Sequence, residues 1–520
     1  MIQILEYCLK IKSSYGFIVR TFWFVILVLL FHSNVGFAQV NGKPIEIVQA
    51  GSLEGVKYNG IEVRRLVGNV IFRQENTLLY CDSALFYEYN NTIDAYGQIR
   101  MEGPQARLTG EVIHYDGNTK NAQVSGKQVH LTDGKMDLTT TILFYDLLND
   151  VGSYFQSGQV KDKENTLTSE IGYYYARNKE VFFKNKVRLV NPRYVMNSDT
   201  LKYNTINNTA YFFGPTTING VSKDGGFIYC ENGWYNTQTE KSMFGKNAYI
   251  HSKENKLMGD SLFYNRIEGV GKAWKNVSLT DTIQKIIVAG EYAYMNEIKG
   301  KSFVTGKSSL IKIFEKDSMY LHADTLYVQL DSAKKQKQYF AYHKVKIFKN
   351  DLQGSCDSLV YNTSDSLISF YSNPILWSDK NQLTANFIKL KLSNNQLNKL
   401  YLEENSFIVG QEDSLRYNQI KGRNMVGYFY DNKLGLIKVA GNGQTVYFIR
   451  NKKQQLTGVN KADCSDMNIY ISDSKVKKIA LKTEPDAVMM PVKDAIENDI
   501  KLRDFKWLDA IRPKRKEDIF

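Results

Sequence analysis

One short motif returns along most of this chain: a small residue, an acid, any residue, an apolar residue, any residue, an aromatic residue, and often Asn or Asp. It reads CDSALF from Cys81, GEVIHYD from Gly110, SEIGYYY from Ser169, SDTLKYN from Ser198, CENGWYN from Cys230, GDSLFYN from Gly259, GEYAYMN from Gly290, ADTLYVQ from Ala323 and CDSLVYN from Cys356. A weaker copy, TTILFYD at Thr140, fills the one gap, and ANFIKLK at Ala385 extends the series. Counted at the acidic slot, the copies fall at 82, 111, 141, 170, 199, 231, 260, 291, 324, 357 and 386, a spacing between 29 and 33. A fixed period of this size means a stacked array, in which each repeat buries its apolar face against its neighbours.

A second signal lies between copies: GNVIF at Gly68, GQIRM at Gly97, GKQVHL at Gly126, KVRLV at Lys186, KNVSL at Lys275, KVKIF at Lys344, NPILW at Asn373 and NSFIV at Asn405. Each places apolar residues two apart behind a Gly, Asn or Lys turn, the period of a half-buried strand. Between residues 45 and 484 the prolines are Pro104, Pro192, Pro215 and Pro374, each after Gly or Asn at a strand entrance where a missing N–H costs little. The repeat region is therefore all-β.

The repeat also places the cysteines. Cys81, Cys230 and Cys356 occupy the slot that Gly, Ser, Ala or Thr fills elsewhere, and Cys464 stands in a degenerate late copy, CSDMNIY. At about 4.8 Å or more per rung, Cys81 and Cys230 lie at least roughly 24 Å apart, beyond the roughly 7 Å reach of a disulfide. They read as small buried apolar groups, not as nucleophiles. A carboxylate in the same slot of every repeat would repel its neighbours if buried, so the acids are expected to face solvent or turn amides.

Other chemistry is sparse. The histidines beyond the N-terminal segment, His114, His130, His251, His322 and His343, have no second His or Cys at zinc-ligand spacing. A phosphate loop, a Gly-x-Ser-x-Gly elbow and a dinucleotide fingerprint are missing, and GVGKAW at Gly269 lacks the required spacing. No catalytic residue, metal site or cofactor is assigned.

At the N-terminus, Lys10, Lys12 and Arg20 precede an apolar core from Phe22 to Phe31, and Gly36-Phe37-Ala38 offers small residues for cleavage after Ala38. We read residues 1–38 as a signal peptide, with an uncleaved anchor as the alternative. Formal net charge is +13; removal of Lys10, Lys12, Arg20 and Glu6 with that segment leaves +11. An exported basic chain favours anionic partners such as phosphorylated lipids or polysaccharides, although the charge can also serve solubility alone. The tail, 485–520, changes character: from Pro491, Val492, Ile496, Ile500, Phe505, Leu508 and Ile511 recur at mostly three- or four-residue spacing until Pro513. That spacing predicts an amphipathic helix that caps the array or docks a partner.

The repeat, above all GNVIF followed by the small-acid-x-apolar-x-aromatic strand, resembles the OstA-like family of lipopolysaccharide-transport β-jellyroll proteins, of the LptA and LptD N-terminal type. The resemblance covers roughly residues 45 to 450. It implies two facing antiparallel sheets in an extended, solenoid-like β-jellyroll over residues 39–484, about three LptA-sized modules, with an apolar groove between them. Positions two and four after the acid share one face of a strand. The groove candidates are Phe86, Ile113, Tyr115, Leu143, Leu201, Leu262, Tyr264, Leu326 and Leu359, with Val70, Phe72, Ile99, Met101, Val129 and Leu131 from the second signal. The implied role is a non-enzymatic periplasmic bridge for lipopolysaccharide or lipid A-type glycolipid, working with other Lpt-type modules at the inner- and outer-membrane ends. Association with the outer membrane and head-to-tail self-association are compatible with it, and no nucleic acid is expected. The alternatives are a structural or adhesive exported β-solenoid and a polysaccharide-active enzyme. An open apolar cavity, a closed dry core and a cleft with clustered acids would distinguish the three.

Overall fold

The computed structural model describes residues 43–520 except 163, 222–225, 252–254, 297, 331–336, 395, 432, 473–474 and 496–499. The expected signal segment and cleavage site lie outside the described residues. Every strand pairing is antiparallel, and long strands follow one another as hairpins from Ile61–Gln74 to Leu456–Ser472. Of the 34 strands among the described residues, six pairs are two halves of one rung, which leaves 28 rungs. At about 4.8 Å per rung the stack is roughly 130 Å long.

Each long strand bends once, and the pairing register shifts at the bend, as between Val67 and Val70 or Tyr80 and Ser83. The bend divides every rung into two halves, and the halves stack into two arms that face each other. Arm A contains the half with the motif's apolar and aromatic residues, and arm B contains the other. Phe72 of arm B meets Phe86 of arm A at 5.8 Å between ring centroids, so the arms close on a shared core.

The motif maps onto this bend slot by slot. In one strand of many hairpins the bend is a pair of left-handed residues: Gly68-Asn69, Gly97-Gln98, Asn185-Lys186, Lys275-Asn276 and His343-Lys344 all have positive φ. The Gly, Asn and Lys of the second signal are thus the residues that tolerate or occupy this corner. In the partner strand the small residue fills the inside of the corner, where Cys81, Cys230, Ala323 and Cys356 are buried. The acid points outward toward the next left-handed pair. Asn247 donates to Glu231 at 2.7 Å, Asn276 to Asp260 at 3.1 Å, and Lys344 sits 3.2 Å from Asp324. At Gly97, φ +75°, a Cβ would stand 2.3 Å from the Asp82 carboxylate, so a larger residue there would have to displace that side chain. The closing Asn or Asp caps the turn at the tip of arm A. Asp116 accepts from the amides of Asn118 and Thr119, and Asn236 from those of Gln238 and Thr239.

The tail corrects the expected helix. Its described residues form the strand Asp486–Pro491 and three short 3-10 turns, Val492–Asp494, Asp509–Ile511 and Lys516–Ile519. From Ile500 on, the tail runs back along the outside of arm B as an extended strap. The side-chain amide of buried Gln419 donates to the Ile500 carbonyl and accepts from the Leu502 amide; Gln382 does the same for Lys506 and Leu508. Each glutamine imitates a strand edge. A helix would leave those buried amides unpaired, and this tertiary demand overrides the helical spacing. Leu502, Phe505 and Trp507 pack on Phe407, Val409 and Phe448, and Phe520 reaches His322 with ring centroids 5.0 Å apart. The strap therefore covers a flank of the stack and not its end.

Candidate functional site: the space between the arms

The two arms join at the bends, so access to the space between them is through the mouth where their tips approach. Over the N-terminal rungs the mouth is stitched shut. Tyr115 of arm A donates to Gln74 of arm B, and Lys120 pairs with Glu75 at 2.7 Å. Tyr174 donates to Asp133 at 2.6 Å, Lys179 joins the same carboxylate at 2.9 Å, and Tyr203 reaches Asp162 at 3.4 Å. Each tyrosine is buried in the mouth and its acceptor lies 41 residues earlier in the chain. Burial pushes the Tyr203 phenol up to about 12, and raises Tyr115 and Tyr174 further. Burial also pushes the Asp133 carboxyl up, but bonds from Tyr174, Lys179 and the Lys135 and Met136 amides outweigh it and hold the group at about 2.

Behind these clasps the interior is filled. The residual space between Ile45, Phe72, Leu79, Met101 and Tyr115 is only about 10 Å³, at the limit for one water. Val70, Phe72, Phe86, Ile99, Met101, Ile113, Tyr115, Val129, Leu131, Leu143 and Leu201 all face inward and are buried in one continuous cluster. Tyr115 is a clasp as well as a wall, because its hydroxyl is committed to Gln74.

The clasp changes at the next tyrosine. Tyr235 has Tyr194 at the position 41 residues earlier, and their rings meet edge to face at 5.6 Å. Two phenols replace a phenol and an acceptor, and the buried Tyr194 hydroxyl has no hydrogen-bond partner. From here the inner row of arm B opens. In register with Ile218 follow Ile228, Ile250, Leu257, Leu279, Val288 and Leu310. All six are partly exposed, and Leu279 is 37% exposed where Leu131 in the equivalent row is at 0%. The facing wall of arm A supplies Tyr264, Ala293 and Met295, also partly exposed, with Leu262 buried beside them. The row closes again at Leu321 and Ile347, and Leu326 and Leu359 belong to this second core. The first core ends at Val277 and the second begins at Leu321, so the slot separates two dry segments.

The lips of the slot are apolar. Ile267 and Ile298 at the arm A tips, and Ile283 and Phe314 at the arm B tips, are exposed. The exposed Lys285, Lys299 and Lys301 stand among them in the sequence of these turns. Leu262 and Tyr264 are thus at the slot, Leu326 and Leu359 lie in the second closed core beyond it, and the earlier candidates line the first closed core. Sequence reasoning passed over Ile250, Leu257, Val288 and Leu310, which alternate as any core strand does. The 41-residue step from tyrosine to acceptor, and its loss at Tyr194, is the signal that marks them.

Free cysteines Cys81, Cys230, Cys356 and Cys464 are buried, and burial pushes the first three thiols up to about 12. Among the described residues no group of three or more His, Cys, Asp or Glu is placed to hold a metal, and no helix is long and apolar enough to cross a membrane.

A family profile described as OstA-like protein matches residues 43–199, and one described as LptA/(LptD N-terminal domain) LPS transport protein matches residues 288–396. No curated protein matches the chain. Among solved structures, LptH of Pseudomonas aeruginosa, the LptA homologous periplasmic component of a lipopolysaccharide transport device, aligns at 12% identity. That alignment covers 24% of this chain and 82% of LptH with a TM-score of 0.18, a likeness too partial to carry weight. The two profile matches fall on separate stretches of one repeated architecture, and through them residues 43–199 and 288–396 are assigned to the OstA/LptA-like family of lipopolysaccharide-transport proteins.

Proposed function

We propose that the chain is a non-enzymatic periplasmic bridge protein that holds lipopolysaccharide-type glycolipid by its acyl chains in the slot between residues 228 and 310. The observation that carries this reading is the partly exposed inner row Ile250, Leu257, Leu279, Val288 and Leu310 behind apolar lips. A structural scaffold has no use for an unsealed interior. Each methylene that enters contributes about 0.8 kcal/mol before the cost of ordering the lipid, and Lys285, Lys299 and Lys301 supply positive charge for phosphates at the rim. Among the described residues the outer edges of Ser52–Tyr58 and Asp486–Pro491 pair with no further strand, and they suit strand addition by related modules at the two membrane ends.

The test is co-purification. The chain from Gln39 to Phe520 is isolated from an envelope that makes lipopolysaccharide, and bound lipid A is measured by mass spectrometry. Stoichiometric lipid, lost in Leu257→Asp and Leu279→Asp proteins that remain folded, supports the slot. A folded chain that carries no lipid and takes up none when it is supplied returns the reading to a scaffold.

A further inference from the structure

Strand residues alternate between the two faces of a sheet, so the register also defines the outer face of arm A, directly behind the slot. Tyr292 and Tyr294 lie on that face, on the strand whose Ala293 and Met295 line the slot. In the middle row of the face Lys272 pairs with Tyr294, Tyr294 with Phe303, Phe303 with Tyr327 and Tyr327 with Phe340. The row nearer the bend places Trp274 opposite Tyr292 and, three strands on, Tyr342. The rings touch one another. Centroids are 6.0 Å apart for Trp274 and Tyr292, 5.8 Å for Tyr292 and Phe303, 5.5 Å for Tyr294 and Phe303, and 5.6 Å from Phe340 to both Tyr327 and Tyr342. Tyr342 is 37% exposed and the others are half-buried, although no further layer of the protein covers this face.

The charge pattern of the face is one-sided. Among the described residues its three rows hold no carboxylate from Thr209–Gly220 to Leu367–Tyr371, roughly 50 Å of the stack. Their charged residues there are Lys241, Lys272 and Lys301. The same rows carry Asp94, Asp116, Asp146 and Glu180 on earlier strands and Glu403 on a later one. The acids of the repeat motif stay at the bend, where Asn247, Asn276 and Lys344 take up Glu231, Asp260 and Asp324. At the other edge, the exposed Ile267 and Ile298 carry the apolar face round to the lip of the slot. A second copy docked through the same face would set lysine against lysine. Tyrosine and tryptophan with lysine and without carboxylates match instead the headgroup boundary of an anionic bilayer, where amphipathic rings settle and lysines meet phosphates.

We propose that the back of arm A docks on the surface of a bilayer that carries anionic phospholipid, with Tyr292, Tyr294 and Phe303 at the headgroup level and Lys241, Lys272 and Lys301 on the phosphates. The contact brings Ile267 and Ile298 to the bilayer surface, where lipid would enter or leave the slot, but the docking itself does not rest on what the slot holds. The test is flotation of the folded chain, Gln39 to Phe520, with vesicles of equal parts phosphatidylglycerol and phosphatidylethanolamine and with vesicles of phosphatidylcholine, all free of lipopolysaccharide. Saturable binding to the anionic vesicles is expected, at least about tenfold weaker to the neutral ones. Tyr294→Ser with Phe303→Ser keeps the net charge, and Lys241→Glu with Lys272→Glu and Lys301→Glu keeps the rings. Each set is expected to weaken binding at least about tenfold, with unchanged thermal unfolding to show that the variants fold, while Leu279→Asp in the slot binds vesicles as wild type does. Loss of binding in Leu279→Asp would assign it to lipid uptake by the slot, and equal binding by the ring variant would assign it to net charge alone. A dimer that the ring variant splits, without vesicle binding, would assign the face to a second copy. Each of these results, like the absence of binding, overturns the proposal.

Discussion

The clasp at Asp133 makes a quantitative prediction about how the arms are held together. Its side chain is 3% exposed and accepts from Tyr174, Lys179 and two backbone amides. These bonds hold its carboxyl at about 2 instead of the ordinary 3.8. A depression of that size corresponds to about 2 kcal/mol of stability. Because the folded value is the lower one, the contribution is complete above the ordinary value and is lost as pH falls through about 4 to about 2. Asp133→Asn removes the charge, and it also leaves Lys179 without its partner. Rungs of a stack open locally, so a global melt would dilute the effect. Amide hydrogen exchange in Asp137–Asp146 and Ile171–Tyr175 is the suitable assay. At pH 7 the variant is expected to exchange there about 30-fold faster than wild type, and the difference should shrink towards none near pH 2 after correction for intrinsic rates. Equal protection at pH 7, or a gap that persists unchanged in acid, would refute the clasp.

Three further perturbations separate the parts of the molecule. Leu131→Ala in the closed core is expected to cost about 2–5 kcal/mol, while Leu279→Ala in the slot costs less than about 1 kcal/mol yet weakens lipid uptake; equal costs in paired urea titrations would erase the distinction. The cysteines Cys81, Cys230 and Cys356, with thiols raised to about 12 by burial, should resist maleimide in the native state and react only on unfolding; prompt native labelling would place them at the surface. Gln382→Leu deletes both bonds to Lys506 and Leu508, a loss of about 1–3 kcal/mol that should free the strap for limited proteolysis ahead of the sandwich, and an unchanged cleavage rate would show that the glutamines do not hold it.

The repeat was legible because each slot has a distinct geometric duty. The small residue inside the bend, the acid outside it, the inward apolar and aromatic pair and the turn-capping Asn or Asp all follow from one folded hairpin. The slot was not legible from periodicity. Leu131 and Leu279 both sit in inward rows of alternating strands, and only what faces them across the mouth makes one buried and the other 37% exposed. That depends on partners such as Tyr174 and Asp133, 41 residues apart on different arms, and on the replacement of an acceptor by Tyr194. The tail misled for a related reason. Its apolar spacing suits a helix, but Gln382 and Gln419, more than eighty residues away in sequence, take up its backbone.

Site-specific photo-cross-linking would test the central claim most directly. A photoreactive residue is placed at Leu279, at Leu310 or at the closed position Leu131, in cells that make lipopolysaccharide, and adducts are detected with an antibody to the glycolipid. The account predicts adducts at Leu279 and Leu310 and none at Leu131. Equal labelling at all three positions, or labelling at Leu131 alone, would contradict it.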